Sequence, residues 1–79
     1  MKTYELMPDT KQKSFYGKAR VIIDDNGTET LFSYDTAIIR KTPEGKLIRL
    51  WDDWSATTGK HIKAYCGLNK AGYKALSMN

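Results

Sequence analysis

From Ser14 to Lys41 apolar and polar residues alternate along SFYGKARVIIDDNGTETLFSYDTAIIRK, the period-two pattern of strands half buried in a sheet. At its centre lies Asn26-Gly27, flanked by β-branched and aromatic residues. That pair predicts a two-residue type I′ loop, because both central positions of such a turn need positive φ. The loop would pair Asp25 with Thr28 and set Ile23 against Thr30, Val21 against Phe32, Ala19 against Tyr34 and Phe15 against Ile38. These largely apolar pairs share one face of the sheet. The other face would carry Ile22 with Leu31, Arg20 with Ser33, Tyr16 with Ala37, and Lys18 opposite Asp35. The last is a cross-strand ion pair worth ~0.2–1 kcal/mol. A slip of one residue would bury Lys18 and Arg20, so the register reads as fixed.

Thr42-Pro43-Glu44-Gly45 predicts a second tight turn. Pro43 presets φ at the second position and Gly45 supplies the left-handed residue of a three-residue loop. Pairing Thr42 with Lys46 sets Ile38 against Leu50 and Arg40 against Ile48, which adds Ile48 and Leu50 to the apolar face. On the opposite face Ile39 meets Arg49 and Ala37 meets Trp51.

Residues 54–66, WSATTGKHIKAYC, then change the period. Ser55, Thr57 and Thr58 are all good helix N-caps, and His61, Ile62, Tyr65 and Leu68 recur at helical spacing. Gly67 would end this helix, and Asn69 could start a short second one over NKAGYKAL. The expected fold is α+β. A three-stranded antiparallel meander, with room for a fourth N-terminal strand in TYELM, packs its apolar face on one C-terminal helix.

The 79 residues make one domain, 1–79, with 1–13 a loosely attached strand or arm. So small a core leaves little room for an enzyme cleft, which favours a non-enzymatic binding role. A hydrophobic fraction of 41% excludes a disordered chain, and a formal charge of +4 permits a polyanionic partner without requiring one. Cys66 is the only cysteine, which rules out an intrachain disulfide or a multi-cysteine zinc cluster and suits a reducing, cytoplasmic setting. The opening MKTYELMPDT lacks the apolar stretch of a secretory leader, and no run approaches the ~20 apolar residues of a membrane span.

The chemistry-bearing motifs are weak. Gly59-Lys60 has Ser55 where a Walker loop needs its first glycine, and His61 follows where Ser or Thr is required. His61 and Cys66 stand five positions apart, about 140° around a helix, so they cannot form a nucleophile–base pair. Both read as packing residues. Asp24-Asp25 reads as turn chemistry, and Asp52-Asp53 as the end of a strand before a helix. No cofactor or metal is implied.

More informative is the sheet face turned away from the helix, expected to hold Tyr16, Lys18, Arg20, Ile22, Leu31, Ile39, Leu47, Arg49 and Trp51. Three readings stand. Tyr16 and Trp51 could stack on nucleic-acid bases while Lys18, Arg20 and Arg49 meet phosphates. The face could be a homo-oligomer or protein interface. Or Tyr4, Leu6 and Met7 could lie across it. A second basic set, Lys60, Lys63 and Lys70, falls on the outer side of the helix, where a solvated face is the plainest reading.

SFYGKA (14–19), SYDT (33–36), and WSATT followed by His61-Ile62 resemble a family of small uncharacterised domains of Gram-positive bacteria and their phages or mobile elements. The resemblance spans residues 14–66 and implies an intracellular protein linked to mobile DNA, with no activity to carry over. It also points to Ser33, Tyr34, Thr36, Ser55, Thr57, Thr58 and His61 meeting where a strand approaches the helix start. They would form either a polar network that fixes the helix on the sheet or an anion site. The functional expectation is an interaction module that binds protein or itself through the open sheet face. Its alternative is a nucleic-acid-binding module using that face or the helix lysines.

Overall fold

The computed structural model describes residues 1–6 and 18–78. Five strands form one antiparallel sheet in chain order: β1 (Lys2–Glu5), β2 (Ala19–Ile23), β3 (Glu29–Ser33), β4 (Thr36–Lys41) and β5 (Leu47–Arg49). Two helices follow, α1 (Ala56–Cys66) and α2 (Lys70–Lys74). The class is α+β as expected, with more strands than the simple meander. Phe15 and Tyr16 fall outside the described residues, as does Met7.

The β4–β5 hairpin has the expected loop. Thr42 N–H donates to the Lys46 carbonyl at 2.9 Å, Gly45 N–H donates to the Thr42 carbonyl at 2.8 Å, and Gly45 has φ +94°. Arg40 pairs with Ile48, and Leu50 N–H reaches the Ile38 carbonyl at 2.9 Å.

The β2–β3 hairpin departs from expectation by one residue. Asp24 N–H donates to the Thr28 carbonyl at 2.8 Å and Gly27 N–H to the Asp24 carbonyl at 3.0 Å, with Gly27 at φ +90°. The loop is therefore three residues, Asp25-Asn26-Gly27, with only the glycine left-handed. Val21 pairs with Leu31, Arg20 with Phe32 and Ala19 with Ser33. Because side chains alternate, that single slip turns the faces of β3, and of β5 two strands later, upside down relative to expectation. Leu31 and Ile39, expected outside, are fully buried core, while Phe32 is not. Leu47 and Trp51 pack against the core; Ile48 and Leu50 do not.

The long middle strand expected over 28–41 is also broken. Tyr34-Asp35 turns the chain between Ser33 and Thr36, which pair, and Tyr34 takes φ +57°. Its N–H donates to the Lys18 carbonyl at 2.6 Å. Beyond the turn, β4 carries one extra residue, Ile38, between the Leu31–Ile39 and Phe32–Ala37 pairs. This bulge lets the consecutive Ile38 and Ile39 both be buried. The expected Lys18–Asp35 ion pair is replaced by Arg20–Asp35 at 3.6 Å, and the Lys18 ammonium sits 5.7 Å from the Tyr34 ring centre.

Sequence alone makes α1 a mediocre helix, with Gly59 and the β-branched Thr57, Thr58 and Ile62 inside it. Caps and packing hold it. The Ser55 side chain accepts from Thr58 N–H at 3.1 Å, and Gly67 closes the other end at φ +77° with its N–H on the Lys63 carbonyl. Fully buried Ile62 contributes ~2–3 kcal/mol of apolar burial. Asn69 caps the five-residue α2, which is too short to persist alone. Tyr73 anchors it, its hydroxyl donating to the carbonyls of Ile38 at 3.1 Å and Trp51 at 2.7 Å. No helix is long and apolar enough to cross a membrane, among the described residues.

Candidate functional site

Where β3 meets α1, Ser33 Oγ lies 2.8 Å from His61 Nδ1 and 3.0 Å from Thr58 Oγ1. Ser33 is placed there because the shifted register turns it toward the helix, and Ser55 holds the first turn in place from outside. Tyr34 lies over this cluster, its ring centre 6.2 Å from that of His61. Thr36 and Thr57 are exposed and stay apart from it. The structure thus brings Ser33, Thr58 and His61 into contact, with Ser55 and Tyr34 at their margin.

A Ser–His hydrogen bond invites comparison with a nucleophile and its base. Here Ser33 is 2% exposed and His61 1%, so no dissolved substrate reaches either atom. An open hollow lined by Ile23, Asp24, Asp25 and Gly27 lies at the opposite end of β2. Burial holds His61 below its ordinary pKa of 6.5, and the charge of Lys18 adds to the effect. The ring is therefore neutral near pH 7, and the cluster acts as a polar bolt between helix and sheet. Among the described residues, no three His, Cys, Asp or Glu side chains converge as metal ligands would. Burial also pushes the Cys66 thiol up, partly offset by the Leu68 backbone and Lys41, and Sγ donates to the Ile62 carbonyl at 3.4 Å. Its thiolate is scarce. The Tyr65 phenol is raised further, by burial and then by its hydrogen bond to Glu29 at 2.8 Å.

The expected binding face dissolves in part. Arg20 and Ile22 do lie on the open side. Arg49 lies on the helix side: it bonds Asp52 at 2.9 Å and the Leu76 carbonyl at 3.3 Å, and its guanidinium sits 5.9 Å from the Tyr73 ring centre. Trp51 is half-buried against the core. Lys18 is exposed beside Tyr34, at the end of β2. Of the expected cover, Tyr4 lies in β1, which pairs with β2 at the sheet edge, and Leu6 enters the core, while Met7 falls outside the described residues.

In their place the open side gathers residues that the expected register had turned inward. Phe32 and Ile48 join Ile22, Thr30 and Arg40 there, all but Arg40 half-buried. Ile22, Phe32 and Ile48 all stand apart from the core cluster. The Arg20 guanidinium covers Phe32 at 5.4 Å from its ring centre. The signal was present in the sequence: a three-residue reading of DDNGT places Phe32 opposite Arg20. Lys60 and Lys63 are exposed on α1, whereas Lys70 is exposed on the separate α2 and does not continue the spacing of the first helix.

A five-stranded meander backed on one side by two short helices, with a buried polar bolt between them, defines a small α+β domain. The chain belongs to a family of unknown function, DUF8033, whose model matches residues 4–76. No curated protein and no solved structure matches it.

Proposed function

We propose that this domain is a non-enzymatic interaction module that docks a protein through its open sheet face. The observation that carries the proposal is the trio Ile22, Phe32 and Ile48, half-buried yet outside the core, with Arg20 and Arg40 beside it. Apolar groups interleaved with arginine are what protein interfaces enrich. Magnitude limits the partner. Five strands at ~4.8 Å spacing and ~17 Å length present about 400 Å², below the ~800 Å² per partner of a standard interface. The face therefore suits a weak self-association or one helix of another protein. The nucleic-acid reading of this face has less support, because Arg49 and Trp51 lie on the other side and Arg20 is engaged by Asp35 and Phe32. A cytoplasmic setting and an origin in Gram-positive bacteria or their mobile elements complete the proposal, resting on the free Cys66 and on the resemblance of the SFYGKA, SYDT and WSATT motifs.

A second copy is the partner to test first. Light scattering over a concentration series should show the mass rising toward a dimer, and Phe32→Ala and Ile48→Glu should each abolish the rise. A chain that stays monomeric, and from which neither change removes any co-purifying protein, overturns the proposal.

A further inference from the structure

The charge of the chain is divided along its sequence. Residues 1–53 carry nine Lys/Arg and nine Asp/Glu, which cancel, whereas residues 54–79 carry Lys60, Lys63, Lys70 and Lys74 and no acidic side chain. The formal charge of +4 therefore equals the charge of the stretch that carries the two helices. All four lysines are exposed. Among the described residues the ion pairs are Met1–Asp25, Arg20–Asp35 and Arg49–Asp52, so none neutralises these lysines. Helix stability does not account for the set. Lys63 and Lys74 lie in last turns, where a cation gains a few tenths of a kcal/mol from the helix dipole. Lys70, however, is the first residue of α2, and neither helix has an acidic residue in its first turn, where the dipole favours one.

We propose that this outer helical side binds the phosphate backbone of duplex nucleic acid, independently of sequence. The chemistry on the page selects that partner. Ile62 and Tyr73 are buried in the core and Leu68 and Leu76 pack against it, which leaves the helical layer with Met78 as an isolated exposed large apolar side chain and no greasy stripe among the described residues with which to enter a membrane. Its aromatics are engaged: Tyr65 with Glu29, Trp54 and Tyr73 with each other at 5.8 Å between ring centres. None is free to stack on the bases of a single strand. Exposed Ala71 and Ala75 directly follow Lys70 and Lys74 and are small enough to let a backbone approach those two lysines. Lysine ammoniums on phosphates position a duplex without reading its bases.

The test is fluorescence anisotropy with two unrelated duplexes of ~20 base pairs over a salt series. Four contacts predict a slope of log K on log salt near −3.6, roughly a hundredfold loss between ~50 and ~200 mM. Both duplexes should bind alike, and more tightly than a single strand or anionic phosphatidylserine vesicles. Changing Lys60, Lys63, Lys70 and Lys74 to Gln together should remove most of the affinity and flatten the slope. Lys41→Gln with Lys46→Gln, on the sheet, should remove little. Ile48→Glu should leave duplex binding intact, which separates this proposal from the open-face one. No binding at low salt, equal loss from the sheet lysines, or tighter binding to vesicles or a single strand overturns it.

Discussion

Two of the hairpin loops that build the sheet belong to the same class, yet only one is transparent in sequence. Asp25-Asn26-Gly27 and Pro43-Glu44-Gly45 are both three-residue loops closed by a left-handed glycine, at φ +90° and +94°. Glu44, at the position of Asn26, ill tolerates the positive φ that a two-residue type I′ loop demands, and Pro43 presets the φ of a longer turn, so this loop admits one reading. Asn26 can take it, so DDNGT admits two. Turn chemistry thus leaves the choice to burial. Leu31 and Ser33 facing the helix fill the core and supply the bolt to His61; Phe32 and Thr30 in their place would not.

The sharpest way to break this comparison is Leu31→Ala beside Phe32→Ala. With Leu31 fully buried, its truncation should cost about 2–5 kcal/mol, measured by urea unfolding. Phe32→Ala, on the open side, should cost about 1 kcal/mol. The reverse order would restore the two-residue loop.

Next in size is Ser33→Ala, which deprives Thr58 and His61 of a buried partner and should cost about 1–3 kcal/mol. His61 also sets a pH dependence. Its folded pKa lies below 6.5, so the unfolded chain takes up the proton first as pH falls. Stability is complete above pH ~6.5 and drains as pH falls from there through the lowered folded value. A flat stability profile between pH 7 and pH 5 would show that the imidazole is not held neutral by the fold.

Smaller effects compare the loops directly. A methyl at Gly27 would meet Pro43 at an ordinary 3.7 Å, and one at Gly45 would meet nothing within 4 Å, so only backbone strain distinguishes glycine from alanine at either site. Gly27→Ala and Gly45→Ala should therefore each cost ~1–2 kcal/mol, and equally. Unequal losses in thermal unfolding would mean that the loops differ in kind. Smallest, and of opposite sign, is Asp25→Pro. It copies the residue at the same position of the second turn and, since the ion pair it removes with the Met1 amine is exposed and weak, should stabilise by up to ~0.4–1 kcal/mol. A loss instead would place residue 25 in the strand ladder.

What was legible followed residues with a single physical meaning. Gly67 and Asn69 mark where the first helix ends and the second begins, Pro43 marks its turn, and Ser55 is the one of three candidate caps that the structure uses. What was hidden lacked such a residue. The Tyr34-Asp35 turn has no glycine, asparagine or proline, and places a tyrosine at φ +57° where steric preference disfavours one. The bulge at Ile38 hides inside Ala-Ile-Ile, a run that fits a regular strand equally well. Of the candidate residues, Ser33, Thr58 and His61 meet in the structure, because hydroxyls near a helix start have few other uses. Arg49 and Trp51 were misplaced because their face was inherited through two strands from the ambiguous loop.

Gly59, whose neighbour Lys60 lent it the look of a nucleotide motif, has a geometric occupation instead. A methyl there would lie 2.5 Å from Cζ2 of Trp54, so the indole occupies the space a side chain would fill. The stretch before the helix is thereby keyed to its second turn by shape. Tryptophan emission at that position should register the docking of the helix before any bulk probe of secondary structure changes.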